Sequence, residues 1–119
     1  VARANAEAQA AEAEIAVTRV QVRREIDRLI AERATLATEI VRIEREVLPS
    51  AERAVVLVGD GFARGGTAFT FLEANQAQQA VVDARSRRVE LLRRFHLNGA
   101  RLDRLTGRHA SLLASAENR

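Results

Sequence analysis

The stretch that decides the fold is Gly59-Asp-Gly-Phe-Ala-Arg-Gly-Gly66, which holds four of the six glycines of this 119-residue chain. Glycine tolerates the left-handed backbone conformation that a reversal of chain direction requires, and no other stretch is as rich in it. Gly65 or Gly66 is therefore predicted to end the helix that comes before the turn. The cluster lacks a preceding strand and the Lys-Ser/Thr pair of a phosphate-binding P-loop, so a turn is favoured over a nucleotide site.

Two threonines after the glycines are candidate N-caps for the next helix. They are Thr67 and Thr70, and Thr70 with Glu73 has the spacing of a capping box. A carboxylate at Glu73 also suits the positive end of a helix dipole. The sequence therefore predicts a second helix that begins near Phe69.

Upstream of the turn, apolar residues recur at alternating steps of three and four, with Arg33 in the one gap. The row consists of Val22, Ile26, Leu29, Leu36, Ile40, Ile43 and Val47. Such spacing over more than three heptads is typical of a coiled-coil seam. Further apolar residues beside the row widen the face, which is typical of a helix with more than one neighbour.

Pro49 is the only proline of the chain. Its ring crowds the preceding helical turn and its nitrogen donates no hydrogen bond. We expect a kink or a break in the first arm near Leu48–Ser50.

Downstream of the turn, a second apolar row is predicted, flanked by Ala77, Ala84 and Leu91. It consists of Phe71, Ala74, Val81, Leu92, Phe95, Gly99 and Leu102, of which Val81, Leu92, Phe95 and Leu102 are the main packing residues. The predicted fold is all-α, a long antiparallel hairpin of two helices. Arm one covers about 1–63, the turn about 64–68, arm two about 69–107 and a tail 108–119. We expect the chain to be a fragment of a larger protein.

The charge pattern agrees with two helices side by side. Residues 1–60 carry 9 Arg and 11 acidic residues, and residues 61–119 carry 10 Arg and 5 acidic residues. The basic run of the second arm is therefore expected to pair with acidic residues of the first, such as Glu39, Glu44 or Glu46. That run consists of Arg87, Arg88, Arg93 and Arg94. Nucleic acid is not an expected partner, because stacking aromatic residues do not accompany the arginines.

Catalytic chemistry is not expected. His96 and His109 are the only histidines, and their separation is not a metal-binding spacing. There is no Cys, no constellation of paired acids, nucleophile or metal ligands, and no apolar run of 18 residues that would suggest a membrane-spanning helix. We therefore expect no enzyme activity, no cofactor and no bound metal.

Aromatic residues cluster around the turn. Phe62, Phe69 and Phe71 can close the end of the hairpin, or they can form an apolar tip, beside Arg64 and Thr67, that docks another protein. The two interpretations are compatible. The predicted docking tip consists of Phe62, Arg64, Gly65, Gly66, Thr67, Ala68 and Phe69.

Four short segments, in this order, resemble TolC-type outer-membrane efflux proteins, above all the heavy-metal branch typified by CzcC and CusC. The segments are Val47-Leu-Pro-Ser-Ala-Glu52, Gly61-Phe-Ala-Arg-Gly65, Phe71-Leu-Glu-Ala-Asn-Gln76 and Leu102-Asp-Arg-Leu-Thr-Gly107. The family usually has Tyr where Phe62 stands. The resemblance covers most of the chain.

The resemblance implies the second periplasmic hairpin of a trimeric channel, whose α-helical tunnel hangs below a β-barrel in the outer membrane. The turn would then meet a periplasmic adaptor protein, and an inner-membrane pump would supply the energy for export. Two other functions stay open. One is the coiled-coil hairpin of a periplasmic adaptor, and the other is a generic coiled-coil scaffold.

Overall fold

The protein is an all-α helical hairpin, as the sequence predicts. The structure, a computed structural model, describes residues 1–65, 69–107 and 116–117, and it contains no strand within those ranges. Arm one consists of α1 (Ala2–Arg42), a π-helical turn (Ile43–Val47) and α2 (Leu48–Ala63). Arm two is α3 (Phe71–Thr106). The predicted tail, 108–119, lies outside the described residues except for 116–117.

Contacts between residues divide the chain into two compact units. The first contains Val1–Arg33 and Asn98–Arg119, and the second contains Ala34–Leu97. In the second unit, Arg85 pairs with Glu52 and Arg88 pairs with Glu44. Because the partner's number falls as the arginine's number rises, the two arms of this unit run antiparallel.

The core of the second unit is a cluster of aliphatic residues. It consists of Leu36, Ile40, Ile43 and Leu91, with the half-buried Leu92 and Phe95 packed against it. Leu91 is fully buried, at 0% exposure. The three residues from arm one belong to the predicted seam, whereas Leu91 was expected only to flank the row of arm two.

Arm two packs through a row that differs from the predicted one. Every residue of the observed row is buried or half-buried: Ala74, Ala77, Val81, Ala84, Arg88, Leu91, Phe95, Asn98 and Leu102. The sequence pattern was wrong at Phe71, which is 69% exposed, and it gave Leu91 a flanking place instead of a central one. The predicted row takes Leu92 and Gly99 where the packed row has the preceding residues, Leu91 and Asn98.

The first unit contains the most buried polar side chain of the described residues. Asn98 is 3% exposed and its Nδ2 donates a hydrogen bond of 2.9 Å to the backbone carbonyl of Leu29. Its Oδ1 is buried without a partner. Beside it, a Cβ on Gly99 would lie 2.9 Å from Nη1 of Arg33, so the absence of a side chain at Gly99 makes room for the guanidinium. Buried polar groups of this kind are known to set the register of paired helices.

The irregularity expected near Pro49 is a π-helical turn and not a break. The N–H of Leu48 donates to the carbonyl of Ile43, five residues earlier, so the turn contains one residue more than an α-helical turn. The packed row therefore steps by five, from the buried Ile43 to the half-buried Leu48. Val47, predicted to belong to the seam, is 37% exposed because the wider turn carries it off the packed face.

The predicted pairing between the basic run and arm one is found for two of its arginines. Arg87 Nη2 lies 3.3 Å from Glu39 Oε2, and Arg88 Nε lies 2.7 Å from Glu44 Oε1. Arg93 instead pairs with Glu90 of its own helix, at 2.9 Å. All these pairs are solvent-exposed, and each therefore contributes less than about 1 kcal/mol.

Within the described residues, no helix is both long enough and apolar enough to cross a membrane.

Replacement of the central core residue tests this packing. We expect Leu91→Ala to lower the free energy of unfolding by about 2–5 kcal/mol, because it leaves a cavity in a fully buried site. The matched control is Leu72→Ala in the same helix, where the side chain is 64% exposed and the change should stay within about 0.5 kcal/mol. Urea unfolding followed by circular dichroism measures both, and equal effects would contradict the observed core.

Candidate docking site at the hairpin turn

The helix before the turn ends at a glycine in the left-handed conformation. Gly65 has φ +68°, and its N–H donates to the carbonyl of Phe62 at 3.1 Å. The N–H of Arg64 donates to the carbonyl of Asp60 at 3.2 Å. These bonds satisfy carbonyl groups that the last helical turn leaves open. The prediction that a glycine at 65 or 66 ends arm one is therefore confirmed for Gly65.

The helix after the turn begins with the predicted capping box. The N–H of Glu73 donates to Thr70 Oγ1 at 3.3 Å, while Glu73 Oε2 accepts from the Thr70 N–H at 2.6 Å and from the Thr70 hydroxyl at 3.0 Å. The backbone and side-chain hydrogen bonds from Thr70 lower the pKa of Glu73 below its usual 4.5. The other candidate cap, Thr67, lies outside the described residues.

The turn is joined to arm one by the close approach of Phe69 and Gly61. A Cβ placed on Gly61 would lie 2.5 Å from Cδ2 and 2.9 Å from Cε2 of the Phe69 ring. Phe69 is half-buried. Phe69 therefore closes the end of the hairpin. Its ring packs where a side chain at residue 61 of α2 would be, so this position requires a glycine.

Other aromatic and aliphatic side chains at this end face solvent. Phe62 is 49% exposed, and Phe71 and Leu72, in the first turn of α3, are 69% and 64% exposed. On α2, Val56 is 61% exposed and Leu57 is 65% exposed. Large apolar side chains that remain outside the packed row are candidates for contact with another protein.

The structure describes four of the seven predicted tip residues. Phe62, Arg64 and Gly65 are exposed and Phe69 is half-buried. The other three, Gly66, Thr67 and Ala68, lie outside the described residues. Leu72 was not predicted to belong to the tip, and Phe71 was named in the aromatic cluster at the turn but not among the seven docking residues. Heptad spacing could not have found them, because counts backwards from Val81 through Ala77 and Thr70, or through Gln78 and Phe71, both take steps of three and four.

The described residues contain no cluster of side chains that could hold a metal ion. A metal site would need a group of three or more His, Cys, Asp or Glu side chains, and no such group occurs in the described part of the chain. His96 is exposed and its ring lies edge-on to that of Phe95, with centroids 6.0 Å apart and an interplanar angle of 79°. His109 lies outside the described residues.

One open crevice of about 550 Å³ lies beside the π turn in the second unit. It is lined by Glu39, Arg42, Ile43, Val47, Ala80, Asp83, Ala84 and Arg87. Two of these, Glu39 and Arg87, already form an ion pair with each other. Its walls combine small or apolar residues with charged residues of both signs. This lining does not indicate a particular ligand.

Comparison of the chain with protein-family models, with curated proteins and with solved structures finds no match. The resemblance to TolC-type efflux proteins therefore stays a prediction.

The contact between Phe69 and Gly61 predicts opposite effects for two glycine replacements in α2. Gly59→Ala should stabilise the chain by up to about 1 kcal/mol, because alanine favours the helix and a Cβ there has nothing within 4 Å. Gly61→Ala should be less stable than Gly59→Ala by about 1–3 kcal/mol, because the Phe69 ring must move. Thermal unfolding measures both variants. Adding Phe69→Ala to each variant should reduce the difference in stability between Gly59→Ala and Gly61→Ala. An unchanged difference would contradict the contact between Phe69 and Gly61.

The capping box predicts a pH-dependent difference between the native chain and Glu73→Gln. Because the pKa of Glu73 is lower in the folded chain than its usual 4.5, its carboxylate stabilises the fold above that value, and this contribution is lost as the pH falls through the folded pKa. We therefore expect the native chain to be the more stable at pH 7 and the difference to shrink below about pH 4. Urea unfolding at a series of pH values measures it. A difference that is constant down to pH 2 would show that Glu73 does not cap as a carboxylate.

Proposed function

We propose that this chain is a periplasmic tunnel hairpin of an outer-membrane efflux channel, and that its turn docks a periplasmic adaptor protein. In this proposal the hairpin forms part of the wall of a passive duct, and an inner-membrane pump supplies the energy. The export of heavy-metal ions is proposed on the resemblance alone.

The observation that carries the docking proposal is the exposure of large apolar side chains at the turn. Phe62, Phe71 and Leu72 lie in helical turns that the C-terminal glycine and the capping box hold in place, so they reach solvent from ordered backbone. Side chains on ordered backbone lose less entropy on binding than those on a flexible loop. Aromatic residues are also the type that most often anchors a protein interface.

A second observation supports assembly of several hairpins. Away from the row that packs against arm two, α1 exposes large aliphatic side chains: Val20 at 50%, Ile30 at 55% and Val41 at 48%. Residues 1–21 are exposed throughout. A helix with apolar residues on more than one face is suited to more than one neighbour. This supports the proposed trimer, in which neighbouring hairpins would cover these faces.

The test is photo-crosslinking in cells that make the parent protein together with its export partners. A benzophenone amino acid in place of Phe62 or Phe71 should crosslink to the adaptor protein. The matched control is Val89, which is also exposed, at 63%, but lies in the middle of α3 and should give no adaptor crosslink. Cysteines at Thr67 or Ala68 offer a second chemistry for the same contact.

The outcomes separate the alternatives. A parent protein in the outer-membrane fraction that gives no adaptor crosslink from either tip position contradicts docking at the turn. A parent protein outside that fraction, with lipoyl-like β-segments on both sides of the hairpin, would favour an adaptor hairpin. Salt-dependent binding of DNA by the purified chain would favour a nucleic-acid-associated scaffold.

A further inference from the structure

Helix α2, together with the last residue of the π turn, has two rows of mainly apolar residues that are one residue apart along the chain. The first, called the inner face, is half-buried throughout and consists of Leu48, Ala51, Val55 and Val58. The second, called the outer face, is exposed throughout and consists of Val47, Ser50, Ala54 and Leu57. Both have the three- and four-residue steps of a packing row. The sequence pattern by itself therefore permits either face to pack.

The π turn decides between the two faces. From the buried Ile43, the next step of four residues in a regular α-helix leads to Val47, and from there along the outer face. The π turn makes this step five residues long and leads to Leu48 and the inner face. One residue corresponds to about 100° of rotation around the helix axis. The extra residue thus rotates all of α2 relative to its position in an uninterrupted helix.

Packing energy alone gives a weak preference between the faces. Each contains one Leu, one Ala and at least one Val, and they differ by the second Val of the inner face, Val58, against Ser50 of the outer face. The ion pair between Glu52 and Arg85, at 3.2 Å, also belongs to the observed arrangement, but both side chains are about half exposed or more. Exposed pairs of this kind contribute little.

Pro49 favours the inner face over the outer face more strongly than packing energy does. It lies in the first turn of α2, directly after the π turn. In an uninterrupted α-helix its ring would crowd the carbonyl of Arg45, and its nitrogen would donate no hydrogen bond there. A π turn ahead of it moves the backbone out of that conflict. We propose that Pro49, acting through the π turn, determines which face of α2 packs against α3. This inference is independent of the proposed function.

The test uses single cysteines, which are clean probes because the chain has none of its own. Val55→Cys reports the inner face and Leu57→Cys the outer face, each labelled with a maleimide under native conditions. In the native background, the outer-face cysteine should react about tenfold faster, because the inner-face cysteine is partly covered and becomes fully accessible only when the packing opens. In the Pro49→Ala background, the ratio of the outer-face labelling rate to the inner-face labelling rate should fall to about threefold or less, or reverse. Ser50→Ala, the neighbouring control, should leave it unchanged.

Removal of the extra residue completes the experiment. Deletion of Glu46 in the Pro49→Ala background restores a regular helix with Leu48 at the four-residue step, so the inner face should again be protected. Deletion of Gly59 in that background is the control, because Gly59 lies beyond both reporter cysteines, so its removal leaves their spacing from Ile43 unchanged and should not restore protection. An unchanged ratio in Pro49→Ala would overturn the proposal. If Pro49→Ala loses helical content by circular dichroism, recovery of protection on deletion of Glu46 supports the proposal, and its absence overturns it.

Discussion

The structure depends on one constraint, which is that the apolar rows of two antiparallel helices must stay in register. Leu36, Ile40 and Ile43 can exclude water only where arm two presents a complementary surface, and the fully buried Leu91 provides its centre. Arm two also contributes Leu92 and Phe95, which pack against this cluster, and the small Ala84. Burial of these apolar side chains stabilises the hairpin roughly in proportion to the apolar area that is removed from water.

Polar residues inside this row restrict how the arms can align. In the observed alignment, Asn98 donates a hydrogen bond to the carbonyl of Leu29, and the guanidinium of Arg33 lies where a side chain on Gly99 would be. The unpartnered Oδ1 of Asn98 is a cost of this arrangement, because a buried acceptor without a donor loses its hydration. An apolar row repeats every seven residues and tolerates slippage by a heptad, whereas a buried amide and an arginine beside a glycine do not. These buried polar groups thus reduce stability, but they favour a single alignment of the two arms.

At the turn, local hydrogen bonds fix the ends of the two helices. Gly65 ends one helix, and Thr70 with Glu73 begins the next. Phe69 packs against Gly61, whereas Phe62 and Phe71 face solvent. Of these three aromatic residues near the turn, one thus packs within the hairpin and two are exposed.

The sequence by itself determined the features that depend on neighbours a few residues away. Helical periodicity, the glycine that ends arm one, the capping box at Thr70 and an irregularity at Pro49 are local, because their hydrogen bonds span at most five residues. Only the tertiary structure decided which of two adjacent apolar residues of arm two is the more buried, Leu91 and not Leu92. A pattern with apolar residues at neighbouring positions fits two helix faces about 100° apart. In arm two, the choice between those faces is made only by the helix that packs opposite.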